Sequence, residues 1–185
     1  MTEIGGSNPE HSVSVPGPDG AVIILGWAAA TDVGLRRAAN EDSFVAGSPI
    51  FAVADGMGGH SAGDLASGAV VQRLSEMIGD GFGASRAVDR ALQSATDDIS
   101  AIAEDTELGV GTTVTGALLT LQDDEPFFAI FNIGDSRVYA FEHNELVQIT
   151  IDHSVVQELV DAGKFTRDEA DHHPDSNIIT RAVGF

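Results

Sequence analysis

Apolar residues follow two rhythms along this chain, and the switch between them divides it into strands, then helices, then strands again. Short runs rich in Val, Ile, Ala and Phe, bounded by Gly, Asp or Pro, predict strands at about 21–31, 50–54, 113–121, 127–133 and 137–142. The last of these meets a strand at 146–150 across His143-Asn144, a two-residue hairpin. Between the early and late strands the period changes. Ala62, Leu65, Ala66, Ala69, Val70, Leu74, Met77 and Ile78 recur at helical spacing, with Ser61 as N-cap and Gly79 as the stop. Ala87, Val88, Ala91, Leu92, Ala95, Ile99, Ile102 and Ala103 repeat the pattern on a second helix. A third helix spans about 154–162 and stops at Gly163, and Thr166 starts a short capped one. Residues 1–20, rich in Gly, Ser, Pro and acidic side chains and without apolar period, predict a flexible tail. Strands, a helical pair and then mostly antiparallel strands predict an α+β domain over 21–185, with sheet packed against helices.

Bulk properties narrow the chemistry. A length of 185 residues with 43% hydrophobic content suits one domain with a real core. A net charge of -20 repels phosphate backbones and anionic lipid surfaces, which argues against nucleic acid as a partner. The chain has no cysteine, so disulfides, thiolate zinc sites and thiol nucleophiles are excluded. The longest apolar run, 21–30, is far short of the roughly 20 residues of a membrane span, and no basic region precedes an apolar one at the N-terminus. The expected location is the cytoplasm.

The candidate chemistry centres on residues 53–60, Val-Ala-Asp-Gly-Met-Gly-Gly-His. An apolar strand delivers Asp55 at its end, and Gly56, Gly58 and Gly59 let the backbone turn its carbonyls toward a cation. An Asp-Gly pair by itself signals only a turn. Here it has company: Arg37-Ala-Ala-Asn40-Glu41-Asp42 upstream, and Gly111-Thr112-Thr113, Asn132-Ile-Gly134-Asp135-Ser136-Arg137 and Asp152-His153-Ser154 downstream. Gly134-Asp135-Ser136 has a sufficient structural reason as a tight turn, Gly111-Thr112-Thr113 supports a strand start beside the site, and Asp152-His153-Ser154 reads as a helix cap.

That ordered set resembles the metal-dependent protein phosphatase family, the type 2C serine/threonine phosphatases, and most closely its bacterial members, over about 26–185. The resemblance implies two central antiparallel sheets with helices outside, an α-β-β-α sandwich. It implies hydrolysis of phosphoserine and phosphothreonine in proteins by a metal-activated water at a binuclear manganese or magnesium centre. Oxygen ligands suit these ions. By resemblance Asp55 bridges the two metals, the Gly56 carbonyl binds one, Glu41 serves the second, and Asp42 behind it orients waters. Asp135 is then ligand to a third, weaker ion, a role compatible with its turn. Arg37, four residues before Glu41, matches the arginine that grips substrate phosphate, and its planar fork suits two phosphate oxygens; the adjacent Arg36 reads as a surface residue. Many eukaryotic members carry a histidine directly after the metal-binding Asp-Gly. Here that position is Met57, which leaves His60 as general acid or as a structural histidine beside the turn. Phosphorylated proteins and a cognate serine/threonine kinase are the implied partners.

The family pattern continues beyond the Ile178-Ile-Thr-Arg181-Ala-Val-Gly184 stretch into more strands, a last helix and two further metal-binding aspartates, whereas this chain stops at Phe185. A phosphatase domain missing those parts is the expectation, and a catalytically inactive phosphatase-like binding or regulatory module is the alternative. With so few ligands, the 185-residue chain alone is expected to bind at most one weak metal and to turn over little. Residues 152–179 resemble the family's variable flap beside the active site.

Overall fold

The structure is a computed structural model and describes residues 1–58, 62–79, 81–103 and 109–184. Its elements run β1 (Glu3–Gly5), β2 (Asn8–Ser14), β3 (Val22–Trp27), β4 (Asp42–Gly47), β5 (Ile50–Met57), α1 (Ala62–Ser75), α2 (Ser85–Ala103), β6 (Gly111–Thr112), β7 (Val114–Gln122), β8 (Glu125–Ile133), β9 (Tyr139–Glu142), β10 (Glu145–Gln148), α3 (Val155–Asp161) and α4 (Arg167–Asp171). The α+β class is as the sequence predicts. One central sheet carries the strand order β1-β4-β5-β7-β8, with β6 on β5, while β2-β3 and β9-β10 form separate two-stranded ribbons. All pairs are antiparallel except β1 on β4.

Hairpins set the register. The turns at Asp123-Asp124 and His143-Asn144 hold all four residues at positive φ, between 51° and 66°. This is the backbone twist that closes a two-residue hairpin, and short polar Asp and Asn tolerate it. The predicted hairpin across His143-Asn144 is therefore present, with Glu145 opposite Glu142.

The core lies between one face of the sheet and the helical pair. Ala62, Ala66, Val70, Val71 and Leu74 of α1 pack on Val45, Ile50, Ala52 and Ala54, and α2 adds Val88, Ala95 and Ile99. The predicted α1 stripe is shifted: Leu65 is 53% exposed and Ile78 42%, whereas Val71, outside the predicted set, is fully buried. A helix caught between a sheet and a second helix buries a wider arc than a one-sided stripe, and its end residues project past both. The bidentate Arg73–Asp98 pair at 2.7 and 2.9 Å ties α1 to α2 at the surface, where such pairs contribute little.

Two predictions are corrected. Residues 1–20 hold β1 and β2, not a flexible tail: β1 extends the sheet edge beside β4, and β2 pairs with β3. Backbone pairing supplied by distant strands orders a segment whose own side chains carry no period. The stretch 42–47, for which no strand was predicted, is β4, buried in the sheet between β1 and β5. The opposite sheet face is covered only in part, with the β2–β3 ribbon packed against it. Trp27 of β3 stacks edge-on against Phe51 at 5.1 Å, yet Val53 and Phe128 stay 48% and 49% exposed.

Candidate metal centre

Asp55 leaves the sheet near the end of β5, and the β4–β5 register sets Asp42 directly opposite it. Facing residues of an antiparallel pair share one side of the sheet with Cβ atoms about 5 Å apart, so two carboxylates are held against each other by backbone pairing. The backbone of Asp55 is fixed on its other side. Its N–H donates to Thr113 Oγ1 at 3.1 Å, and its carbonyl accepts from Thr113 N and Thr112 Oγ1, each at 2.9 Å. The Thr113 hydroxyl lies 2.9 Å from that of Ser136. Gly111-Thr112-Thr113 thus supports the site in the way its sequence suggests.

Glu41 is brought in by α1. Its carbonyl accepts from Ser67 Oγ at 2.6 Å and from Gly56 N at 3.3 Å, and Ser67 also lies 2.9 Å from Ser43 Oγ at the start of β4. The approach of β5 to α1 is possible only with glycine. A Cβ on Gly56 would lie 2.0 Å from the Gly63 carbonyl oxygen and 2.7 Å from that of Glu41.

Arg37, Asn40, Glu41, Asp42, Asp55 and Gly56 line one pocket of about 220 Å³, together with Asp32, Val33 and Ala39. A second pocket of about 290 Å³ shares Asp32, Asp42 and Asp55 with the first and reaches Ser136. Asp55 meets solvent at the pocket mouth, yet its pKa is pushed from 3.8 up to about 6. Partial burial is the main cause, followed by the charge of Asp42 and a hydrogen bond shared with it, then the charge of Asp135; Arg37 opposes them. Each cause has a meaning for the site. A partly buried carboxylate crowded by two others is relieved by a cation.

The structure therefore brings Arg37, Glu41, Asp42, Asp55 and Gly56 together around one pocket, and it places Asp135 near enough for its charge to reach Asp55. His60 and the Ser61 cap lie outside the described residues. The donors fit hard divalent cations, being carboxylates and a backbone carbonyl with no sulfur. Among the described residues no three His, Asp or Glu side chains already converge on one point. Asp32 was missed: it lines both pockets, but in sequence it is one acid among 29 acidic residues in a polar loop. Gly63 was also missed, because a helical glycine gives no sign of what it faces.

Known proteins are similar to this chain in sequence and fold. The protein phosphatase 2C model matches residues 36–182. The serine/threonine protein phosphatase PstP of Mycobacterium tuberculosis is 42% identical over 166 residues, covering 87% of this chain and 31% of that protein. The serine/threonine phosphatase stp of Listeria welshimeri is 37% identical over 167 residues, covering 83% of this chain and 65% of that protein. This chain thus spans under two thirds of either relative's length. Among solved structures, Mycobacterium tuberculosis PstP/Ppp superposes with a TM-score of 0.77 at 42% identity, covering 85% of this chain and 67% of that one. The PstP catalytic domain in complex with two manganese ions gives 0.74 at 40% identity, covering 85% and 66%. With the match running from the arginine pair before Glu41 almost to the chain's end, this chain belongs to the protein phosphatase 2C family.

Proposed function

We propose that this chain carries the active centre of a phosphatase that hydrolyses phosphoserine and phosphothreonine in proteins. The observation that carries the reading is the single pocket where Arg37 faces Asp55, Asp42 and Glu41. A phosphate monoester resists hydrolysis because its negative charge repels the nucleophile, and a site for it must combine a cation grip with places for metal. Arg37 is the grip: its fork donates to two phosphate oxygens and turns the phosphorus toward the carboxylates. Asp55, Glu41 and the Gly56 carbonyl would hold two divalent ions, Asp135 a third, with Asp42 orienting the groups around them. Bound manganese or magnesium would supply positive charge and acidify a water at neutral pH. His60 is the proposed proton donor to the leaving oxygen, with a structural role beside the glycine turn as its alternative.

Relatives that bear phosphatase names support this reading, as does the solved domain that binds two manganese ions. Phosphoproteins, a cognate kinase and a cytoplasmic setting belong to the same proposal. No helix among the described residues is long and apolar enough to cross a membrane. An inactive phosphatase-like binding module is the second reading, favoured by the absence of three convergent metal donors among the described residues.

The two separate in one assay. With excess manganese the chain is expected to hydrolyse para-nitrophenyl phosphate slowly but measurably, and Asp55→Asn should lower that rate by more than the about 10- to 100-fold that losing a supporting residue costs, with an unchanged circular dichroism spectrum. Equal rates for Asp55→Asn and the parent chain would sink the phosphatase reading.

A further inference from the structure

We propose that His153 is a positioning residue that sets where the Asp135 carboxylate stands, by holding both peptide groups of Gly134 and tying that loop to the returning segment at 178–180. Gly134 N donates to His153 Nδ1 at 3.1 Å. His153 N donates to the Gly134 carbonyl at 2.8 Å, and Asn132 Nδ2 donates to the same carbonyl at 3.2 Å. The His153 carbonyl in turn accepts from Thr180 N at 2.8 Å, and Val155 N donates to the Ile178 carbonyl at 2.9 Å. His153 therefore stands where both ends of the 154–179 segment meet the loop that carries Asp135.

The loop needs such a hold. Gly134 sits at φ +109°, and a Cβ there would lie 2.6 Å from Thr113 Cγ2. Only glycine fits, and glycine has no side chain to fix its own backbone. Its conformation is set by the partners of its N–H and C=O, and His153 supplies one to each. A neutral imidazole accepts at one nitrogen only, and the shorter contact, from Gly134 N, assigns that role to Nδ1; the ring proton is then on Nε2, and Arg181 Nη1, itself only a donor, makes no hydrogen bond there. Burial and the charge of Arg181, whose Nη1 lies 3.5 Å from Nε2, push the ring's pKa down against the pull of Asp152. Nδ1 is thereby kept as an acceptor. The next residue after Gly134 is Asp135, whose charge reaches Asp55, so a shift of the Gly134 peptides moves a carboxylate of the site.

The catalytic consequence rests on the phosphatase reading, whereas the hold on Gly134 does not. Three substitutions separate position from mere packing in the full chain. His153→Asn keeps an acceptor close to the place of Nδ1, His153→Gln moves it one bond further out, and His153→Leu removes it. The amide ¹H–¹⁵N shifts of Gly134 and Asp135, the thermal midpoint, and kcat and KM for para-nitrophenyl phosphate with manganese are compared. In the Gln and Leu variants both amides are expected to move and kcat to fall about 10-fold at unchanged KM, while Asn restores both readouts whatever the thermal midpoint does. Amides unmoved in His153→Leu, or an Asn variant no better than Gln, would overturn the proposal. If the Leu variant does not fold, the Asn and Gln pair decides. A parent chain without hydrolysis defeats the phosphatase reading alone, and the amide shifts still decide the role of His153.

Discussion

Asp55 and Arg37 carry most of the electrostatic argument, and each makes a measurable prediction. The folded chain holds the Asp55 proton more tightly than the unfolded chain does, since its pKa is about 6 against 3.8. Between about pH 4 and pH 6 the unfolded state therefore has fewer protons bound, and stability falls as pH rises through that window. In metal-free buffer, denaturant unfolding should show this fall for the parent chain and lose it in Asp55→Asn; added manganese should reduce it, because a cation favours the carboxylate. Arg37 lines the pocket, and Arg36 is not among the described residues that do. Arg37→Ala should chiefly raise KM, by the loss of a charge-assisted contact worth about 1.5–3 kcal/mol. Steady-state kinetics showing that effect in Arg36→Ala and none in Arg37→Ala would reverse the assignment. In the sequence the preference for Arg37 rests on the family resemblance, through its spacing to Glu41. That Asp55 would titrate high was not legible there, because its causes are burial in the fold first, then a cross-strand neighbour and a residue 80 positions away.

At the scale of elements, the centre is a junction of three pieces: the end of β5, the start of β4 and the first turns of α1. Gly56 and Gly63 are the contact that brings them together, since a Cβ on either would fall within about 3 Å of backbone atoms of the other strand or helix. Gly56→Ala is accordingly expected to push α1 and the Glu41 carbonyl away from β5, costing about 1–3 kcal/mol in denaturant unfolding and weakening manganese binding together with stability. A variant as stable as the parent would show that the junction has slack. The strands that read well from sequence were those with their own apolar run, β5, β7 and β8. The strand β4 was missed although Ser43, Phe44, Val45 and Ala46 are all buried, because a central strand buried on both faces shows no alternation and here includes a serine that bonds to α1. In α3 and α4 the caps were legible in advance: Ser154 Oγ accepts from Gln157 N at 3.2 Å, and Thr166 forms a capping box with Glu169.

For the whole molecule, ligand supply is the governing quantity. Asp55, Glu41 and the Gly56 carbonyl offer three protein oxygens across two proposed ions, whereas octahedral ions need about six ligands each. Calorimetric titration of the 185-residue chain with manganese is expected to show at most one weak site, with slow turnover to match. Tight binding of two ions with fast turnover would defeat the argument from ligand number. What the sequence by itself determined was local. An apolar run ending in Asp-Gly, an arginine four residues before a glutamate and turn residues between runs fix chemistry and spacing within a few residues, because they act through backbone dihedrals and side-chain type. What only the tertiary structure decided was which acid faces which. Asp42 stands opposite Asp55 through strand register, Asp135 comes near through the β7–β8 hairpin and the loop beyond it, and β1 joins the sheet through an edge that β4 offers. Pairing between strands far apart in sequence depends on the complementary edge and the closed core, and neither is written in the segment that ends up paired.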